Sequence, residues 1–225
     1  MRPLSLLLLL LTALGQPCFA VEQSVSPGIN RHYENPDFDL WVRRFESEGR
    51  EVYDLREEIV ATLQLKPGMQ VADIGAGTGL FSKAFALEVG PTGKVYAVDI
   101  SAGFVENIKR ISRQQGLNNI TAIVNSDKSS GLSSNSIDLA FVCDTYHHFE
   151  YPQAMLRSLH QALKKNGRLV IIDYRKQAGV SSDWVMGHVR ADRNTVIREI
   201  EAAGFKLQKE HDLLQENYFL EFVKV

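Results

Sequence analysis

Three glycines at alternate positions, Gly75, Gly77 and Gly79, constrain this chain more than any other feature. The mostly apolar run Val71-Ala72-Asp73-Ile74 leads into them, and Leu80, Phe81, Ala84, Phe85 and Leu87 follow at helical spacing. The pattern reads as strand, tight turn, helix. Without Cβ atoms the turn can take positive φ, and a ligand can come close to the backbone at the helix N-terminus. A second apolar run, Val95-Tyr96-Ala97-Val98, ends in Asp99, twenty residues beyond Gly79. An acid at such a strand end can accept hydrogen bonds from both hydroxyls of a ribose. An ordinary glycine-rich turn leaves the acids at both strands unexplained.

The rest of the chain alternates in the same manner. Strands are expected at 120–124, 137–142 and 168–174, the last buried on both faces through Leu169-Val170-Ile171-Ile172. Ser101 caps a helix carrying Phe104, Val105, Ile108 and Ile111, and Gly116 closes it. Pro152 opens another with Met155, Leu156, Leu159 and Leu163, stopped at Asn166-Gly167. A further helix at 191–203 precedes two closing strands, 205–213 and 218–225. Alternating strands and helices with buried apolar strands argue a parallel sheet covered by helices. Upstream, 21–35 reads as an extended leader rich in Ser, Pro, Gly and Asn. Two helices follow it, one carrying Phe38, Leu40, Trp41 and Phe45, the other spanning 51–63.

The first twenty residues differ in kind. A short positive lead, an apolar run from Leu4 to Leu14, and small residues before Ala20 form the pattern of a cleaved secretory signal. The apolar run is too short to span a bilayer, which takes about 20 residues. The expected layout is a signal peptide over 1–20, leader and N-terminal helices over 21–64, and a main domain over 65–225. A periplasmic or secreted location follows, with no stable membrane span after cleavage. Cleavage would also leave Cys143 as the only cysteine, so no intrachain disulfide could form. The net charge of −2 offers no basic excess for a phosphate backbone, and nucleic acid is excluded as a partner.

Asp73-Ile74-Gly75-Ala76-Gly77-Thr78-Gly79, with Val98-Asp99 at this distance, resembles the class I methyltransferases that use S-adenosylmethionine. The resemblance implies a Rossmann-like α/β fold: a seven-stranded, mostly parallel sheet flanked by helices, an antiparallel closing hairpin, and an N-terminal helical lid. It implies that Asp73 and the loop Gly75, Ala76, Gly77, Thr78, Gly79 hold the methionyl part of S-adenosylmethionine. Asp99 would hold the ribose, Ile100 the adenine face, and Ser126 and Asp127 the adenine edge, with Asp144 also at the cofactor. A nicotinamide dehydrogenase would need a sixth-position glycine where Leu80 stands.

The exit of the fourth strand, Cys143 to Phe149, falls where this family lines its transfer channel. Tyr146, His147 and His148 are the catalytic candidates, a histidine being suited to take a proton from the nucleophile near neutral pH. Adjacent histidines at a strand exit point in different directions, so the two do not serve one atom. No metal is expected: Asp144 with either histidine has no diagnostic spacing. Tyr33, Tyr53 and His188 are candidate contacts to the substrate or the cofactor edge. The shape around Tyr146-His147-His148-Phe149 is similar to the branch that methylates quinones, sterols and other metabolites, and a small-molecule acceptor is expected. The alternative is an exported binding domain that holds an adenosyl ligand or a partner without turnover.

Overall fold

The computed structural model describes residues 22–225, and the expected signal segment lies outside the described residues. Seven strands form one sheet in the order β3-β2-β1-β4-β5-β7-β6. They are β1 (Gln70–Ile74), β2 (Lys94–Asp99), β3 (Ile120–Val124), β4 (Ile137–Cys143), β5 (Leu163–Tyr174), β6 (Phe205–Glu210) and β7 (Asn217–Lys224). The first five run parallel, while β7 lies antiparallel between β5 and β6. This is the Rossmann-like, mostly parallel sheet with an antiparallel closing pair.

Among the described residues the α-helices are α1 (Phe38–Phe45), α2 (Glu51–Asp54), α3 (Arg56–Thr62), α4 (Leu80–Val89), α5 (Ala102–Gln114), α6 (Pro152–Ala162), α7 (Asp183–His188) and α8 (Arg193–Ala202). Side chains alternate across each strand, so β1 sends Ala72 and Ile74 to one face and Val71 to the other. One face packs on α6 and α8 through Leu156, Leu159, Val196 and Ile200. The opposite face packs on α3 and α4 through Ile59, Val60, Phe81 and Phe85. Strand order reverses between β1 and β4, and the crevice outside their carboxyl ends is where such a sheet binds ligands.

Three elements depart from the sequence expectations. The helix expected over 51–63 is broken at Leu55, where the Arg56 guanidinium donates to the Tyr53 carbonyl at 2.8 Å. Strand β5 begins at Leu163, earlier than expected, because Asn166 at φ +61 lets the turn join the ladder with a register shift opposite Ile137 and Leu139. The leader is stitched down. Its Glu22 carboxylate accepts from the Gln153 and Ala154 amides at 2.8 and 2.7 Å, capping an α6 that lacks a side-chain cap of its own. Ser24 and the Gly28 amide bond Glu150, and a single 3-10 turn, Arg31–Tyr33, follows.

Candidate active site

A cavity of about 800 Å³ opens at the carboxyl ends of β1, β2 and β4, roofed by α1 and the turn at Arg31–Tyr33. Its floor is the glycine loop. Gly75, Gly77 and Gly79 have φ of +73, +54 and +80°. A Cβ on Gly75 would sit 2.3 Å from the Thr145 side chain, so only glycine lets the β1 and β4 exits close on each other. Aromatic rings form the roof. Trp41 packs between Tyr33 and Phe45, tilted against each at centroid distances of 4.9 Å, and Phe104 meets all three from α5.

At the loop end stand two buried carboxylates. Asp99 accepts from the Gly77 amide and the Ser101 amide, both at 2.8 Å, one on each oxygen. Asp73 accepts from the Ser82 hydroxyl at 2.5 Å. Burial lifts the Asp99 carboxyl to about 6, against the pull of its two amide bonds. Burial likewise lifts Asp73 to about 7, with Asp99 adding repulsion. Both are costly in an empty protein and both suit a ligand that brings positive charge and hydroxyls.

The far end belongs to histidines. His147 and His148 occupy a 3-10 turn after β4, and His188 ends α7. One ring nitrogen of each lies within 4.8 Å of the other two. Asp173, at the end of β5, is 1% exposed and accepts from the His147 amide at 3.0 Å. Its second oxygen lies 2.7 Å from His147 Nδ1. Burial disfavours charge on His147, but the Asp173 carboxylate outweighs it and holds the ring above its usual range. Burial and the neighbouring imidazoles push His148 down to about 3, and the same causes lower His188. Trp184 stacks on His188 at 4.6 Å and closes this end.

Between the two ends lies a charge lock. Arg50 donates to Asp144 at 2.6 Å and to the Phe45 carbonyl at 2.7 Å. The second Asp144 oxygen accepts from Asn217 Nδ2 at 2.6 Å. Asp144 takes φ +47°, and burial raises its carboxyl although Arg50 opposes the shift.

A family model described as a methyltransferase domain matches residues 65–218. The chain belongs to that methyltransferase family, whose cofactor is S-adenosylmethionine. Among its curated relatives is a protein of Cupriavidus metallidurans named ubiquinone/menaquinone biosynthesis C-methyltransferase UbiE. It is 30% identical over 120 residues, covering 52% of this chain and 48% of the relative. A Paraburkholderia phymatum protein of the same name is 31% identical over 121 residues. The chain thus spans about half the length of the curated relatives it matches. In fold it resembles a SAM-dependent methyltransferase from Aquifex aeolicus, with a TM-score of 0.74 and 24% identity over 85% of this chain and 100% of that one. A possible exported protein from Bordetella parapertussis aligns with a TM-score of 0.65 and 16% identity, over 85% and 80% of the two chains.

The methyltransferase site fits this cofactor in its own chemistry. The cavity is of ligand size, the loop leaves no Cβ in the way, and the buried carboxylates suit a cationic, hydroxyl-bearing molecule. The structure brings Asp73, Gly75, Ala76, Gly77, Thr78, Asp99, Ile100 and Asp144 to one cavity wall, with His147, His148, His188 and Tyr33. Gly79 sits behind, capping α4. Asp127 lines a smaller neighbouring cavity of about 360 Å³ that shares Asn30, Tyr33 and Ile100 with the first. Ser126 lines neither, being tied to Ser129 in a local bridge.

Two expectations need correction. Tyr146 does not reach the transfer channel: it is 1% exposed in the core under α6 and α8, and its hydroxyl donates to Glu199 at 2.8 Å. Tyr53 is also absent from the cavity wall, its ring lying against the Arg56 guanidinium. Asp144 has both oxygens engaged by Arg50 and Asn217 and cannot pair with a histidine as a metal ligand. Sequence reasoning missed Asp173, Arg50 and Asn217. Asp173 had a signal, an acid closing the buried run Leu169-Val170-Ile171-Ile172, as Asp99 closes β2. Arg50 stood in the charged, aromatic stretch from Phe45 to Tyr53 ahead of the first strand, and Asn217 had no signal.

Proposed function

We propose that this protein transfers a methyl group from S-adenosylmethionine to a small-molecule acceptor seated at the histidine end of the cavity. The observation that carries it is one cavity with two chemistries, buried carboxylates at the loop and, opposite, His147 backed by Asp173 beside two further imidazoles. When bound, S-adenosylmethionine supplies an electrophilic methyl carbon on a sulfonium. Asp99 accepts the ribose hydroxyls, and the Asp73 carboxylate answers the positive charge of the methionyl end. The aromatic roof excludes water from the space between the ends, which removes a competing nucleophile. His147 receives the proton of the acceptor. Asp173 fixes the proton on Nδ1, so Nε2 carries the free lone pair, and it raises the basicity of the ring.

Trp41, Phe45 and Trp184 suit a flat or apolar acceptor. A phenol or hydroquinone is in keeping with the names of the UbiE relatives. The secretory pattern of the first twenty residues supports a periplasmic or secreted location, which fractionation with N-terminal sequencing of the recovered protein tests.

The functional test uses purified protein, S-adenosylmethionine labelled on the methyl group, and a panel of phenols and hydroquinones. The expected result is label in an extracted acceptor, lost in His147→Gln and Asp173→Asn while S-adenosylhomocysteine still binds. Binding of S-adenosylhomocysteine with no transfer to any acceptor would favour the non-catalytic binding domain. Absence of binding would overturn both.

A further inference from the structure

We infer that His147, His148 and His188 form a binding site for one divalent transition-metal ion, with an open coordination position facing the cavity. Three imidazoles, one ring nitrogen of each within 4.8 Å of the others, converge at the end of an 800 Å³ cavity. Asp173 accounts for the placement of His147, but no salt bridge among the described residues holds His148 or His188 beside it. The centroids are 4.3, 5.1 and 5.2 Å apart, and every pair is inclined by more than 40°, so ring stacking does not explain the trio.

Each ring has the attributes of a ligand. His147 has Nδ1 engaged by the buried Asp173 carboxylate, leaving Nε2 free. A carboxylate behind the ligating imidazole is the arrangement that fixes tautomer and orientation at histidine metal sites and strengthens the donor. His148 Nδ1 is buried and has no hydrogen-bond partner, a cost that a metal or a bridging water would relieve. His148 and His188 both line the cavity beside His147. His188 rides on the six-residue α7 with Trp184 stacked over it.

An ion with metal–nitrogen bonds of about 2.0–2.1 Å in tetrahedral geometry places its ligand nitrogens about 3.3 Å apart. The present spacing therefore has to contract by at most about 1.5 Å, within reach of side-chain rotation and a small shift of α7. Three imidazoles without a carboxylate or thiolate select the middle and late first-row ions, Co²⁺, Ni²⁺, Cu²⁺ and Zn²⁺, over Mg²⁺ and Ca²⁺. Three protein ligands leave the fourth position open, as at catalytic zinc centres.

What occupies that position rests on the methyl-transfer reading; the metal site does not. Under that reading the ion takes the Nε2 lone pair that serves as base in the metal-free site. Coordination would instead acidify an acceptor hydroxyl, its proton would pass to solvent, and the oxyanion would attack the methyl carbon as the O–C bond forms. The C–S bond breaks, its electron pair stays on sulfur, and the sulfonium becomes a neutral thioether.

The experiment is metal analysis of the full chain, stripped with chelator, reloaded with Zn²⁺ or Co²⁺, and dialysed. The expected result is one ion per chain, with Co²⁺ giving the visible absorption of a tetrahedral centre. His188→Ala, at a partly exposed helix end, is expected to weaken the ion at least about 100-fold. Asp173→Asn is expected to weaken it about 10–100-fold. The remote His211→Ala leaves it unchanged. Binding of S-adenosylhomocysteine, followed in parallel, reports folding and the integrity of the loop end in every variant. Less than a tenth of an ion per chain, or one ion equally retained by His188→Ala, overturns the proposal. Metal binding with no S-adenosylhomocysteine binding would instead leave the metal site standing and remove the methyl-transfer reading.

Discussion

The two ends of the cavity are built in opposite ways. The loop end comes from one contiguous stretch and the next strand, Asp73 to Asp99, and its polar groups are held by nearby backbone: Gly77 and Ser101 amides on Asp99, the Ser82 hydroxyl on Asp73. The histidine end and the charge lock beside it are gathered from across the chain. Arg50 bonds Asp144, Asp144 bonds Asn217, and Asp173 holds His147. A site that every family member needs can be written locally on the strand–turn–helix. A site for one acceptor draws side chains from loops and the closing strands, and its groups must neutralise one another before anything binds.

That contrast can be broken at several points. The largest effect is expected at Arg50. Arg50→Ala leaves Asp144 buried and without its cation, which costs about 3 kcal/mol of stability or more by denaturant unfolding. A loss below about 1 kcal/mol would show that the lock is not structural. Next comes Asp99→Asn, where binding and stability separate. S-adenosylhomocysteine affinity, measured by calorimetry, is expected to fall about 100-fold, since hydrogen bonds to a charged group contribute about 1.5–3 kcal/mol each. The unfolding midpoint should hold or rise at neutral pH, because the buried carboxylate disfavours the folded state. A fall in both would place Asp99 with the structural groups.

A third test is pH. Asp99 titrates near 6 when folded, above its model-compound value of 3.8. As pH rises between these values the unfolded chain loses the proton first, so the contribution of Asp99 to stability declines across that window. Affinity runs the other way. Only the carboxylate accepts from both ribose hydroxyls, so cofactor affinity is expected to rise about tenfold from pH 5 to 7, and Asp99→Asn should flatten the profile. The smallest effect is expected at Glu22. Glu22→Ala removes the distant cap of α6 and costs about 1 kcal/mol, with cofactor affinity unchanged.

The loop end was legible in the sequence because its residues are neighbours in the chain and each strand end carries its own acid. The seven strands were legible from apolar runs. The histidine end was readable only in part. His147 and His148 stand at a strand exit; His188, forty residues away on a short helix, was a candidate contact in the sequence, but nothing there set it beside the other two. Tyr146 was misplaced because it turns into the core, while His147 and His148, expected to point apart, bring their rings to 4.3 Å of each other. Asn166 and Leu55 shifted boundaries because a left-handed residue and a side chain bonding a carbonyl are tertiary matters that pattern does not encode.

The stitched leader has a further consequence. Residues 24 to 30 bond Glu150 and, through Asn30 Nδ2, the His148 carbonyl at 3.1 Å, so the stretch ahead of the first helix is a side wall of the reaction chamber. Peeling it away would open both cavities at once, since Asn30 and Tyr33 line each. A shortened chain starting near position 35 should loosen its hold at the adenine edge together with its choice of guest, so the few residues of the leader tie the two ends of the chamber to one strap.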